Sequence, residues 1–313
     1  MTLSEMAERL VNNGEHYKNQ LDDYIGGLLS GSITVNTSTV RPYAFYGFDK
    51  ITAFQASSAT AIGKGAFQTC TALTKFSAPI ATTCDSSFDH PMTFESFTAG
   101  FTINEWKSTS AATQPTFTEN NKIKLISLPG VVNIGVKAFY KCENLKSAYF
   151  TNATGASIKD NAFADCTSLI TFSAPSFSGN VGTTAFKGCK ALTSIELPLI
   201  TNVGNGAFSN CIALKTVKFP NCGTISTNAF TGVTTIEEVN LGTLKTTSIF
   251  TDKTALKKVT MSKATTAEAN AFRKCTNLSS VSFPELTDIH TSAFAECAAI
   301  TTIESPKVTN ISA

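Results

Sequence analysis

The stretch that decides the fold runs from Asn202 to Pro220 and reads NVGNGAFSNCIALKTVKFP. Its order of residue types returns along almost the whole chain, and the clearest marker is a phenylalanine that recurs about every 22 residues. These phenylalanines are Phe45, Phe67, Phe88, Phe117, Phe139, Phe163, Phe186, Phe208, Phe230, Phe250, Phe272 and Phe294. A fixed period of roughly 20–50 residues is the signature of repeats that stack on one another. The period therefore predicts a solenoid, and it disfavours an enzyme because stacking occupies most residues of each unit.

Each unit can be numbered from its phenylalanine as position 0. A β-branched aliphatic residue stands at position −5, cysteine at +3 and leucine or isoleucine at +6, as Val203, Cys211 and Leu214 show. Apolar residues at +9 and +11 alternate with polar residues at +8 and +10, which is the period of a half-buried strand. Proline at +12 ends the strand because it has no N–H donor. The apolar residues around position 0 predict a short helical turn packed over the strands.

The units at 202–220 and at 268–284, EANAFRKCTNLSSVSFP, resemble the BspA-like type of leucine-rich repeat, whose pattern is Ile-Gly-x-x-Ala-Phe-x-x-Cys-x-x-Leu-x-x-Ile-x-Leu-Pro. The resemblance extends over about residues 40–311. It implies an α/β leucine-rich-repeat solenoid, in which each repeat of about 22 residues supplies one parallel β-strand and one short helical turn. It also implies a non-enzymatic interaction module, since BspA-like proteins are mostly surface adhesins. Units with Pro91, Val233 or Lys253 at the cysteine position are expected to be irregular.

The predicted organisation has two parts. Residues 1–39 are expected to form an N-terminal helical cap and a partial first rung, and residues 40–313 the solenoid, with an insertion near 100–116. Thr2 and Glu5 fit a capping box at the start of a helix. A solenoid needs such a cap because its first rung would otherwise expose apolar side chains.

An alternative interpretation of the first 30 residues is a homo-oligomer contact. It rests on a seven-residue spacing of Leu3, Leu10, Tyr17 and Tyr24. At the other end, Val308 and Ile311 begin another unit without a polar cap, so a partner or further chain is expected to cover it.

Composition restricts the partners. The chain has 25 basic and 23 acidic residues, a formal net charge of +2, and only 15% charged residues. This balance argues against nucleic acid, because nucleic-acid-binding proteins concentrate positive charge on one face. No apolar run reaches the roughly 20 residues that span a bilayer, and the N-terminus has no features of a Sec signal peptide. A cell-surface, extracellular or virion location is favoured over the cytoplasm by the Thr-, Ser- and Asn-rich composition.

The sequence predicts no catalytic residue, cofactor or metal site. Seven of the nine cysteines share position +3, where buried free thiols are expected, and no paired metal-ligand spacing occurs. Cys84 and Cys222 lie outside that column and are expected to be more accessible. The three histidines are scattered, and glycines such as Gly63 and Gly204 share one turn position that serves backbone geometry.

The candidate binding surface is the outward side of the strands. Hydroxyl side chains dominate positions +8 and +10, which place Glu196 beside Lys218 and Glu238 beside Lys258 on consecutive rungs, with Tyr149 as the aromatic residue. The other candidate is Trp106, the only tryptophan, in the insertion. Each feature also has a structural explanation: the face is then merely solvated, and Trp106 fills a gap in an irregular unit.

Three functions remain open on the sequence alone. The first is a recognition or adhesion module that binds a protein or glycan surface of another cell or particle. The second is a phage or prophage virion component, such as a tail-associated host-binding protein. The third is a structural scaffold without a dedicated ligand.

Overall fold

A computed structural model describes residues 3–13, 29–81, 83–84, 95–99, 117–128, 131, 133–151, 157–242 and 249–312. The second helical stretch and the insertion with Trp106 lie outside these residues, as does Thr2 of the predicted capping box. The division of the chain at residues 39 and 40 stays a prediction.

The described residues form one helix and 22 short strands. The helix is α1 (Leu3–Asn13). In chain order the strands are β1 (Gly31–Thr34), β2 (Thr39–Val40), β3 (Ile51–Gln55), β4 (Ala61–Ile62), β5 (Lys75–Ala78), β6 (Thr83–Cys84), β7 (Ser96–Ala99), β8 (Leu125–Ser127), β9 (Ser147–Tyr149), β10 (Thr171–Ser173), β11 (Asn180–Val181), β12 (Ser194–Glu196), β13 (Asn202–Val203), β14 (Thr216–Phe219), β15 (Thr224–Ile225), β16 (Glu238–Leu241), β17 (Lys258–Met261), β18 (Thr266–Ala267), β19 (Ser280–Ser282), β20 (Asp288–Ile289), β21 (Ile303–Glu304) and β22 (Asn310–Ile311).

The strands stack in parallel, as the repeat predicts. The longer strands form a seven-stranded sheet, β1-β3-β5-β7-β8-β9-β10, and a six-stranded sheet, β12-β14-β16-β17-β19-β21. Pairing joins equivalent positions of successive units, for example Val217 with Val239. Proline follows closely on several strand ends, as Pro220 does on β14. The predicted solenoid of leucine-rich-repeat type is confirmed.

Most described repeats also contribute a second, two-residue strand that the sequence pattern did not predict, and at Ile134 and Ile158 it is reduced to isolated bridges. These strands lie at positions −6 and −5 and form three small parallel sheets, one of them β11-β13-β15. Asn202 is exposed and Val203 is buried, so even this short strand alternates between solvent and core.

The segment around the phenylalanine is a series of turns rather than a helix. Asn161 and Asp165 flank Phe163 at positions −2 and +2, and both have left-handed backbone conformations, with φ of 55° and 60°. A left-handed residue on each side of Phe163 breaks the right-handed backbone that a helix needs, so continuous helical hydrogen bonding cannot form. The turns close instead by bonds such as Cys166 N–H to the Phe163 carbonyl, at 3.2 Å. Among the described residues, α-helix is confined to α1.

The core consists of ladders that run along the stack. Successive phenylalanine rings stack face to face with centroids 5.0 Å apart at Phe139–Phe163 and 6.1 Å apart at Phe230–Phe250. The residues at +6, +9 and +11, such as Leu214, are fully buried beside them. The columns inferred from the repeat are therefore the core.

Helix α1 packs against the first rung. Ala7, Leu10 and Val11 are fully buried, and Arg41 donates its backbone N–H to the Val11 carbonyl at 3.1 Å. Ile33 is also buried, as expected for a partial first rung. Because Leu10 faces the solenoid, it is not available for the oligomer contact that the seven-residue spacing suggested.

The main sheet is interrupted near its middle. Strands β10 and β12 belong to successive units, yet they are not hydrogen-bonded to each other. The stack continues on the core side, where Phe163 and Phe186 stay in contact at 5.3 Å. The interruption therefore affects the strand layer alone.

Candidate binding face and groove

The outward side chains of the main strands form one surface, which we call the polar sheet face. At position +8 it comprises Ala53, Lys75, Ser96, Leu125, Ser147, Thr171, Ser194, Thr216, Glu238, Lys258 and Ser280. At position +10 it comprises Gln55, Ser77, Thr98, Ser127, Tyr149, Ser173, Glu196, Lys218, Asn240, Thr260, Ser282 and Glu304. These side chains are exposed or half-buried, whereas the residues between them are mostly fully buried. Strand alternation thus separates the face from the core.

Charged residues cluster on the six-stranded part of the face and neutralise one another. The Glu196 carboxylate lies 3.7 Å from Lys218 Nζ, and the Glu238 carboxylate lies 3.1 Å from Lys258 Nζ, as the sequence predicted. Just beside the face, Glu237 bridges Lys257 and Lys215 at 2.8 and 3.1 Å.

The two lysines around Glu237 also affect its ionisation. Hydrogen bonds from Lys257 and then Lys215, with their positive charges, hold the pKa of the Glu237 carboxyl below its usual value. Because solvent screens pairs as exposed as these, they contribute little to the stability of the fold. They contribute mainly to register.

The seven-stranded part of the face is almost uncharged. Tyr149 lies there, opposite Ser127 on one side and Ser173 on the other. The register also places Leu125 in the outward column, half-buried, where the sequence analysis did not identify it. Leu125 and Tyr149 are thus the larger apolar side chains of this part.

An open groove lies over β1, β3, β5 and β7 and encloses a volume of about 250 Å³. Its polar lining is Ser32, Gln55, Lys75, Ser77, Ser96 and Thr98, and Phe54 and Phe76 lie beneath them. The sequence pattern did not indicate that these residues form a site. One sequence signal could have identified Lys75. Lys218 and Lys258 each have a glutamate at the same position of the preceding unit, whereas Lys75 has Ala53 there.

The hydroxyl groups of the groove differ from those on the turns. Thr60 and Thr287 each donate to a backbone carbonyl of the preceding unit at 3.0 Å, and so contribute to stacking. Within the part of the chain that the structure describes, the side chains of Ser77, Ser96 and Thr98 have no protein partner. Their hydrogen-bonding capacity is therefore available to a ligand.

The cysteine column is structural. Cys211 Sγ–H donates to the Phe186 carbonyl at 3.1 Å, and this carbonyl also accepts the Cys189 N–H at 3.1 Å. Burial raises the pKa of the Cys142 and Cys275 thiols to about 12. A nucleophilic cysteine needs the opposite shift, so these thiols are inert, as the sequence predicted.

The prediction for Cys222 is wrong. Cys222 is fully buried rather than accessible, because position +14 turns back under the strand layer, and its Sγ–H donates to the Thr224 carbonyl at 3.3 Å. Burial raises the pKa of this thiol to about 11. For Cys84 the structure describes the backbone in β6 and not the side chain.

Four described units replace the cysteine with another side chain, and in the first of them it is the buried Phe48. Lys253 bends its ammonium group inward and donates to the Val233 carbonyl at 2.6 Å, and burial lowers its pKa. Val233 fills the position without a donor. Asn120, which the sequence analysis did not identify, is fully buried and accepts the N–H groups of Lys122 and Ile123 at 2.8 and 3.0 Å. The position therefore tolerates any side chain that fits beneath the turn.

The other expectations concern metals and membranes. Among the residues described above, no group of three or more His, Cys, Asp or Glu side chains could hold a metal ion. In the same residues, no helix is long and apolar enough to cross a bilayer. Trp106 lies outside the described residues, so its role stays a prediction.

The fold and the polar face together define a repeat scaffold of leucine-rich-repeat type. The model of the BspA type leucine rich repeat region (6 copies) matches residues 28–114, 111–237, 156–263 and 201–313. The chain therefore belongs to the BspA-type leucine-rich-repeat family. No curated protein sequence matches the chain.

Solved structures with a similar fold come from several bacteria. A leucine-rich repeat protein from Bacteroides ovatus is 21% identical, with 90% of this chain and 78% of that chain covered and a TM-score of 0.49. A leucine rich cell surface protein from Faecalibacterium prausnitzii is 20% identical, with coverage of 91% and 81% and a TM-score of 0.34. An internalin from Listeria monocytogenes is 14% identical, with coverage of 89% and 77% and a TM-score of 0.49.

Proposed function

We propose that this protein is a non-enzymatic recognition module that uses the polar sheet face to bind a protein or glycan on the surface of another cell. The observation that carries the proposal is an extended outward face, in two parts, whose serine and threonine hydroxyls have no hydrogen-bond partner among the described residues. Families of stacked repeats commonly bind their partners across such extended faces. Family membership supports an interaction role, and a location at the cell surface is part of the proposal.

The face offers two kinds of contact. Tyr149 and Leu125 provide apolar area among small hydroxyl side chains, which suits the buried centre of an interface. The pairs Glu196–Lys218 and Glu238–Lys258 provide charges of both signs at the other end of the face. These paired charges would orient a partner more than they would strengthen binding.

The test is binding of the purified protein to intact cells and to extracts of their surface, with face variants as competitors. Tyr149→Ala should weaken binding by about 5–30-fold, the loss expected for a contact worth about 1–2 kcal/mol. Lys218→Ala and Glu238→Ala should each weaken binding by less, mainly through slower association. Thr201→Ala, on the turns away from the face, is the control and should bind normally. Binding that survives all three face substitutions would exclude this surface.

The virion and scaffold interpretations make different predictions. A virion component should assemble through residues 1–30 and should be encoded among tail genes, whereas a scaffold should bind nothing in a broad protein and glycan screen. Light scattering and gene neighbourhood separate them from the adhesion proposal.

A further inference from the structure

Resting on the proposed function, we propose that the groove over β1, β3, β5 and β7 binds the acidic sugar of a glycan, with Lys75 as the group that recognises its carboxylate. The proposal depends on the charge, the hydrogen-bonding groups and the size of the groove, each of which points to the same ligand chemistry.

Among the described residues, Lys75 is a positive charge that no carboxylate neutralises. It is one of three lysines on the described strands of the polar sheet face, and the other two are paired with Glu196 and Glu238 within 4 Å. Lys75 has no ion-pair partner among the described residues, and none of the residues that line the groove is acidic. At the margin of the groove, Glu95 is engaged by Lys124 at 3.9 Å. An anionic ligand would therefore meet a positive charge without first displacing a carboxylate.

The groups around Lys75 are those that bind sugars. Ser77, Ser96 and Thr98 present hydroxyls that both donate and accept, and Gln55 adds an amide. A sugar ring carries the same alternation of donors and acceptors on its hydroxyl groups. A protein partner would instead call for a large apolar anchor, and among the residues that line the groove Phe54 and Phe76 are buried beneath the strand surface.

The volume limits the ligand to a small unit. The groove encloses about 250 Å³, which is less than the roughly 300–1,000 Å³ of sites that hold drug-sized molecules. One sugar ring with its carboxylate suits such a space, and because the groove is open the rest of a chain could continue along the face. The chemistry is thus that of an oligosaccharide that contains a uronic or sialic acid.

The experiment measures binding by calorimetry with acidic and neutral oligosaccharides of matched length. Oligogalacturonate, hyaluronan oligosaccharide and sialyllactose are the acidic probes, and galactan oligosaccharide and lactose are the neutral ones. We expect at least one acidic probe to bind in the micromolar to millimolar range, with an affinity that falls as salt rises because screening weakens the charge contact. Lys75→Gln should reduce that affinity at least tenfold.

The matched control is Lys307→Gln, which removes an exposed lysine that lies outside the polar sheet face and is neutralised by Glu285 at 2.6 Å. It should leave the affinity within twofold of the wild type, and both variants should melt like the wild type because both side chains are exposed. Ser77→Val should weaken binding as well, since it removes a hydroxyl from the groove.

The outcomes are distinct. Failure of every acidic probe to bind, equal binding of the neutral probes, or unchanged affinity in Lys75→Gln would each overturn the inference. If a protein partner binds the face while no acidic probe does, the proposed function survives and this inference fails. If Tyr149→Ala and its companion variants leave cell binding intact, the proposed function fails independently of the groove.

Discussion

At the scale of single residues, the phenylalanine at position 0 contributes most to the core. Phe208 is fully buried and stacks on Phe186 at 5.2 Å and on Phe230 at 5.5 Å. Phe208→Ala should therefore lower the free energy of unfolding by about 3–5 kcal/mol, as core truncations of phenylalanine do. Urea denaturation provides the measurement. Ile212→Ala is the control, because Ile212 belongs to the same unit and is 54% exposed; equal losses in both variants would mean that the column is wrongly placed.

The buried thiols give the protein a dependence on alkaline pH. The folded-state pKa of Cys142 and Cys275 is about 12, against 9.0 for a free thiol, so the folded state keeps protons that the unfolded state releases. Their stabilisation is complete below pH 9 and is lost as pH rises from 9 towards 12. At pH 10 the loss should be about 1 kcal/mol for each fully buried thiol. Burial lowers the pKa of Lys253, so the contribution of this residue to stability rises with pH, opposite to that of the thiols. It is one group against several thiols.

Cys189→Val provides the matched test, because Val233 already fills the same position in another unit. At pH 7.5 this variant should unfold within about 1.5 kcal/mol of the wild type. Between pH 8 and pH 10 its stability should fall less steeply than that of the wild type. Parallel curves for the two proteins would show that the thiol ionises equally in the folded and unfolded states, contrary to the prediction.

At the scale of elements, close contact between turns explains the glycine at position −4. A Cβ on Gly204 would lie 2.8 Å from the backbone of Gly182 and Thr183, and backbone cannot move aside as a side chain can. Gly204→Ala should therefore cost about 1–3 kcal/mol of stability. Ser226 occupies the same position of the next unit and already has a Cβ. Ser226→Ala should therefore cost less than about 0.5 kcal/mol of stability. Thermal melts of the two variants would decide, and equal melting temperatures would refute the close-contact explanation.

The sequence was sufficient for the strands and insufficient for the turns between them. Alternation at +8 to +11 identified strands such as β14, because the buried positions of these strands hold apolar residues and the outward positions hold polar residues. The left-handed residues at −2 and +2 include glycines and polar residues of many kinds, among them Asn161, Asp165 and Lys141, so no single residue type reveals them. The outward columns were predictable in the same way as the strands. The groove was not identified, although the alanine beside Lys75, where the other two lysines of the face have a glutamate, could have indicated it.

At the scale of the whole molecule, the interrupted sheet separates a part of the face whose described charge is Lys75 from a part with several charged residues. The seven strands up to β10 carry Tyr149 and the groove, and the six strands from β12 carry the paired charges. A ligand that covers both parts must bridge the interruption. A ligand of the groove contacts the first part alone.

The interruption predicts a local weakness in hydrogen exchange. In the neighbouring units, Phe150 and Leu197 donate their N–H groups across the sheet at 2.8 and 3.0 Å, and Thr216 donates to Thr193 at 3.3 Å. The equivalent N–H groups of Ala174 and Ser194 point to the gap between β10 and β12, which are not bonded to each other. We expect these two amides to exchange at least tenfold faster than those of Phe150 and Leu197, although Ala174 is fully buried. Burial alone does not protect an amide that lacks an acceptor, so equal protection of the two pairs would mean that the sheet closes in solution.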